Sequence, residues 1–99
     1  MLSIDQLKQV EVSANEYLLF MTAQIQEELG QVEFVDLAPI GPIQKDQMFM
    51  SIEAAKAAVE IPSDFDGEIL AVNEQAMLEP QLLNSTNEDD CWIARIKRK

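Results

Sequence analysis

The side chains of this sequence that could do chemistry are one lysine, one cysteine and a pair of glutamates. Lys56 sits in Glu53-Ala54-Ala55-Lys56-Ala57-Ala58, where small neighbours leave its ε-amine unobstructed. Taken alone, such a residue is ordinarily a solvated surface lysine, because E-x-x-K-A recurs in helices. Cys91 is the single cysteine, following Glu88-Asp89-Asp90 and preceding Trp92. Three adjacent carboxylates disfavour a thiolate, so no nucleophilic or redox chemistry is expected there. There is no CxxC for zinc. Glu27 and Glu28 close a short predicted helix, where the dipole disfavours negative charge; their bland state is a solvated helix end. The absence of histidine removes His-ligated metals, His general bases and Ser-His triads. Neither a catalytic residue nor a metal site is expected.

The elements that must position these residues fit in 99 residues, enough for a single domain over 1–99 with one modest core. Hydrophobic residues make up 47% and charged residues 25%, an ordinary globular balance. Eighteen acidic residues against seven basic ones give a net charge of −11. Such a surface repels phosphate backbones, which excludes nucleic-acid binding, and its self-repulsion favours a monomer. No apolar run approaches the ~20 residues that cross a bilayer, and no basic flank with an apolar core opens the chain. A lone cysteine builds no internal disulfide. A cytoplasmic protein without a membrane anchor is expected.

Along the chain, short strands alternate with turn signals. Residues 7–21 predict a hairpin, with Val10 and Val12 alternating, Ser13-Ala14-Asn15 turning and Tyr17 to Met21 a buried run. Ser3 and Gln6 could cap a helical turn, so residues 1–6 stay undecided. Thr22 caps a helix over Ala23 to Leu29, and Gly30 suits the left-handed position after it. A strand over 32–37 follows, ended by a loop at Pro39, Gly41 and Pro42. Further strands are predicted over 48–52 and 69–72, with Met48 and Met50 at core and edge. Asn73 caps a short helix stopped before Pro80, residues 84–90 form a polar loop, and Trp92, Ile93 and Ile96 make a closing strand with Trp92 in the core. Residues 52–60 conflict. Their propensity is helical, with Glu53 and Lys56 at i, i+3, yet eight or nine residues make a marginal helix and a hairpin uses the same residues.

Four blocks carry a resemblance. Residues 22–37, TAQIQEELGQVEFVDL, resemble the ITxxAQxxLGDVVFVELP block of the glycine cleavage system H proteins. SIEAAKAA (51–58) resembles their SVESVKAAS hairpin, DGEILAVNEQAMLEPQLLN (66–84) their SGEVVEVNExLxxxPxLVN, and CWIARIK (91–97) their GWLxKIK. The blocks keep the family's order and spacing.

The resemblance implies a mostly β fold, a flattened barrel-sandwich hybrid of the lipoyl/biotinyl type with short peripheral helices. It implies that Lys56 stands at a hairpin tip and carries covalent lipoate, placed before a lipoate ligase in part by Glu53. The chain would then be a non-catalytic carrier that presents a dithiolane arm to partner enzymes. Among family members it resembles the short H-like proteins encoded, in some bacteria, beside a macrodomain hydrolase, a sirtuin-type ADP-ribosyltransferase and a lipoate ligase. In that group the lipoylated carrier accepts ADP-ribose reversibly in an oxidative-stress response, and Glu27 and Glu28 are the acceptor candidates. The alternative is a conventional H protein that shuttles aminomethyl groups between glycine decarboxylase, aminomethyltransferase and dihydrolipoyl dehydrogenase. Biotin carriage is disfavoured, because Ala55 and Ala57 replace the methionines that usually flank a biotinyl lysine.

Overall fold

A computed structural model describes residues 2–99. Ser3 opens a 3-10 turn over Ile4–Gln6, its N–H donating to Gln6 Oε1 across 2.8 Å. That settles the undecided start of the chain, residue 1 lying outside the described residues. β1 (Lys8–Ser13) and β2 (Glu16–Phe20) form the predicted hairpin, turned at Asn15 with φ 62°. α1 (Ala23–Leu29) is capped by Thr22, whose Oγ1 accepts from the Ile25 N–H at 3.2 Å, and it ends at Gly30, φ 73°. β3 spans Val32–Leu37.

The Pro39–Pro42 stretch is not only a loop. Gly41–Ile43 forms β4, paired with β7 (Gly67–Val72) at the sheet edge. A proline is tolerated on an edge strand, where its missing N–H need not bond to a neighbour. β5 (Met48–Ala54) and β6 (Ala58–Pro62) pair antiparallel. Ile52 lies between Val35 and Val59 in register, and it is fully buried. Cross-strand burial of this side chain outweighs helix propensity differences of a few tenths of a kcal/mol per residue. The hairpin therefore replaces the helix. α2 (Glu74–Leu78), a 3-10 turn (Pro80–Asn84) and α3 (Glu88–Cys91) precede β8 (Trp92–Arg98). α3 corrects the expected polar loop over 84–90: Asn87 Oδ1 accepts from the Asp89 N–H at 2.9 Å and starts a turn.

The strands form a five-stranded sheet, β1-β2-β8-β7-β4, and a three-stranded sheet, β3-β5-β6, both antiparallel and neither closed. This is the expected mostly β sandwich of two small sheets. Inward side chains of both, among them Leu19, Ile69, Ile93 and Ile96 from one and Val35, Phe49, Met50, Ile52 and Ile61 from the other, share one core. Phe49 and Met50 are both buried although adjacent, because a bulge between Met48 and Met50 breaks the alternation. Met48 is turned out. Trp92 also departs from expectation: it is half-buried with Leu18 and Phe20 along a shallow cleft, and the core positions beside it go to Cys91 and Ile93. Among the described residues no helix is long and apolar enough to cross a membrane.

Candidate functional site

The turn of the β5–β6 hairpin, residues 55–57, carries Lys56, and the end of α1 holds this turn in place. The Ala54 N–H donates to the Ala57 carbonyl at 2.9 Å and closes the turn. The Ala55 N–H donates to the Gln31 carbonyl at 2.8 Å, and the Lys56 N–H to the Leu29 carbonyl at 2.9 Å. A helix leaves its last carbonyls without intrahelical partners. Here the Lys56 N–H supplies a donor to the last helical residue and the Ala55 N–H bonds the segment just past it, so the two bonds together cap the helix end and fix the tip.

The Lys56 side chain continues the arrangement. Its Nζ donates to the Glu27 carbonyl at 3.0 Å. A cation at a helix C-terminus is favoured by the dipole, and the residue remains exposed. Gly30 makes room for the stem. A Cβ there would lie 3.3 Å from Lys56 Cγ and 3.5 Å from Ala55 Cβ. Its φ of 73° is one that L side chains rarely adopt. The glycine thus meets two requirements, a backbone turn and clearance for the lysine.

A second layer holds α1 and β3 against the remaining chain. Asn84 Nδ2 donates to the Gly30 carbonyl and Asn84 Oδ1 accepts from the Val32 N–H, both at 2.8 Å. Gln26 Nε2 donates to the carbonyls of Leu83 and Ser85 at 2.7 and 2.8 Å. Sequence reasoning missed Asn84 and Gln26 as supports of the site. A lone Asn after an apolar pair was the available signal, and it reads equally well as a loop residue.

The structure brings Lys56 and Glu27 together and keeps Glu27 and Glu28 exposed on the last turn of α1. Glu53 is exposed on β5 opposite Ala58. Cys91 is elsewhere: it is buried, its carbonyl accepts from the Met21 N–H at 3.2 Å, and burial, reinforced by Glu88 and Asp90, pushes its thiol pKa up. The thiol is held protonated and away from solvent, as an inert core side chain would be.

What this arrangement offers chemically is a single amine at the tip of a rigid hairpin, flanked by alanine methyls, with its only described polar contact a carbonyl oxygen. An exposed primary amine of this kind can be acylated without disturbing the core.

Residues 3–99 match the family model described as "Glycine cleavage H-protein". The glycine cleavage system H proteins of Bacillus cereus (strain AH187) and Bacillus anthracis (strain A0248) are each 32% identical to the chain over 89 residues, 89% of this chain and 70% of theirs. A crystal structure of a glycine cleavage system H protein from Mycobacterium marinum superposes with a TM-score of 0.76 at 18% identity, covering 94% of this chain and 76% of that one.

Proposed function

We propose that Lys56 is the lipoylated residue of this chain, which belongs to the glycine cleavage H-protein family and, as a member of it, is a non-catalytic lipoyl carrier. The observation that carries the assignment is the hairpin tip: Lys56 is its exposed amine, and its backbone N–H is bonded to the end of α1. Bound there as an amide, lipoate would supply a dithiolane whose sulfurs are reduced and reoxidised and carry a transferred group.

The chain's own residues do the rest. Alanines 55 and 57 leave room around Nζ. Gly30 clears the stem, and the α1 carbonyls hold the tip so that a flexible arm starts from a fixed point. A tether of this kind works by effective concentration, visiting several active sites in turn. Acylation requires Nζ to leave the Glu27 carbonyl and lose its charge, so an attaching enzyme must draw the lysine off the helix end. Family membership implies lipoyl-handling partners, with glycine decarboxylase and aminomethyltransferase among them.

We further propose that the carrier accepts ADP-ribose, with a sirtuin-type transferase and a macrodomain hydrolase as partners, in a cytoplasmic redox response. The supporting observation is that the Glu27 carbonyl contacts Lys56 Nζ while the Glu27 and Glu28 side chains are exposed on the same turn. A carboxylate oxygen there would attack the anomeric carbon of the nicotinamide riboside of NAD; the ester forms and nicotinamide departs. The names of the curated relatives favour the second reading, a conventional H protein shuttling aminomethyl groups.

Intact mass with peptide mapping tests the assignment, after reaction with a lipoate ligase, lipoate and ATP. One lipoyl increment on Lys56 is expected; an increment elsewhere, or none where a control H protein is modified, overturns it. Addition of NAD and a sirtuin-type transferase then separates the two readings. An ADP-ribosyl increment on Glu27 or Glu28 supports the first, whereas its absence with active glycine–bicarbonate exchange supports the second.

A further inference from the structure

The outward face of the three-stranded sheet has an unusual composition. Register places Phe34, Glu53 and Ala58 side by side in one row, and Asp36, Ser51 and Glu60 in the next. The alternating residues Val35, Leu37, Ile52, Met50 and Ile61 are buried, so these two rows face outward. Phe34 is 51% exposed on the edge strand β3, beside Glu53 of the central strand β5. Asp36 stands in the next row of β3 and Glu60 in that row on the far edge strand β6, and none of the three carboxylates joins an ion pair among the described residues.

Diagonal neighbours across a sheet are about 7–8 Å apart, within a Debye length at physiological salt. Like charges at that separation repel, and an aromatic ring half in water forgoes burial. Nothing in the fold requires either feature at these outward positions. The cations that could neutralise the face lie elsewhere. Lys45, Lys97, Arg98 and Lys99, four of the seven basic residues, line a cleft beside β4 and the end of β8. The loop holding Lys45 leads into β5, and Lys56 follows β5 at its far end, about 20 Å away at the rise of a strand. Those cations share their cleft with Asp66 and Glu68, and Arg98 pairs with Asp64, so they offset carboxylates there and leave the face beside Lys56 acidic.

We propose that this face, with Phe34 as its apolar anchor and Asp36 and Glu60 as its charged rim, docks the enzyme that acylates Lys56. This rests on Lys56 being the lipoyl site. The occupant follows from reach. Enzymes that use a lipoyl arm meet its far end, but the attaching enzyme must bring its active site to Nζ, which lies against the Glu27 carbonyl at 3.0 Å. It therefore covers the sheet immediately behind the hairpin. Charge complementarity sets its chemistry: a basic surface around a socket for one aromatic ring.

Lipoylation kinetics of the full chain with an ATP-dependent lipoate ligase, read by intact mass at varied chain concentration, test this. Phe34→Ser and the pair Asp36→Asn/Glu60→Gln are expected each to raise KM by about tenfold at low salt, with kcat within about twofold of the parent. The charge pair's defect shrinks as salt rises, because rim charges act through screened encounter. The same variants weaken direct binding to ligase immobilised without ATP. On the five-stranded sheet, Val12→Ser removes another exposed apolar side chain and Glu11→Gln/Glu68→Gln the same charge, and both leave KM unchanged. Thermal unfolding certifies that each variant is folded. If folded face variants match the parent, or if Glu11→Gln/Glu68→Gln weakens binding as much as the face pair, the docking face is overturned. If the parent itself takes up no lipoyl group where a control H protein does, the assignment of Lys56 falls and the docking face with it.

Discussion

The Lys56 ammonium donates to the Glu27 carbonyl across 3.0 Å, and the Lys56 backbone N–H donates to the Leu29 carbonyl at 2.9 Å. One residue therefore caps a helix through both its main chain and its side chain. The main-chain bond survives any change to the ammonium; the side-chain bond is weakened once Nζ becomes an amide and loses its charge.

On the proposed assignment Lys56→Arg is expected to take up no lipoyl group, and the surviving main-chain bond is expected to keep the fold. Its melting temperature is expected within about 3 °C of the parent, as for other exposed substitutions. A combined mass and thermal-unfolding experiment checks both; a drop of ten degrees would show that the side chain is structural.

Gly30→Ala places a methyl 3.3 Å from Lys56 Cγ on a backbone with φ 73° and ψ −154°. That region is nearly restricted to glycine, and occupying it costs about 1–3 kcal/mol. Thermal unfolding should show a fall of at least about 4 °C.

Gly67→Ala is expected to be more severe. A Cβ there would sit 1.9 Å from the Lys97 carbonyl oxygen, so β7 and β8 must move apart. The penalty is about 3 kcal/mol or more. A urea midpoint equal to the parent's would contradict the β7–β8 pairing.

Asn84→Ala leaves the Gly30 carbonyl and the Val32 N–H without their partner. The expected loss is about 1–3 kcal/mol. Hydrogen exchange localises it: the Ala55 and Lys56 amides, bonded to the segment Asn84 holds, lose protection more than the amides of β2.

The Cys91 thiol pKa is raised by burial first and by Glu88 and Asp90 next. Its neutral form is thus favoured in the folded state, and the stability this contributes is present below the unfolded thiol pKa. It is lost as pH rises past about 8.5. Denaturant unfolding between pH 7.5 and 10 should show that decline, and Cys91→Ala should flatten it. Iodoacetamide at pH 8 should label the native thiol far more slowly than the unfolded one.

Much of the site was legible one residue at a time. Thr22 and Gly30 mark the two ends of α1 through local backbone chemistry, and Lys56 among alanines identifies an unobstructed amine. The hydrophobic alternation of β3 and the apolar run of β2 needed no partner to be read. Other features were not legible. Propensity over 52–60 is helical, Pro39 to Pro42 reads as a loop, and Trp92 reads as core.

The sequence by itself determined a small acidic domain without histidine, with its caps, turns and unobstructed lysine, because each of these depends on composition or on a few neighbouring residues; the carrier reading came from the order and spacing of four blocks that resemble a family. Propensity left 52–60 open and the resemblance implied a hairpin there, which the β5–β6 pairing bears out; only the tertiary structure decided that Gly41–Ile43 joins a sheet and that Asn84 holds the segment beneath Lys56. It also gathered Phe34, Asp36 and Glu60 on one face. The physical reason is common to all of these. Cross-strand register and side-chain bonds between residues tens of positions apart set them, and where such contacts bury a side chain like Ile52 they outweigh local preferences of a few tenths of a kcal/mol.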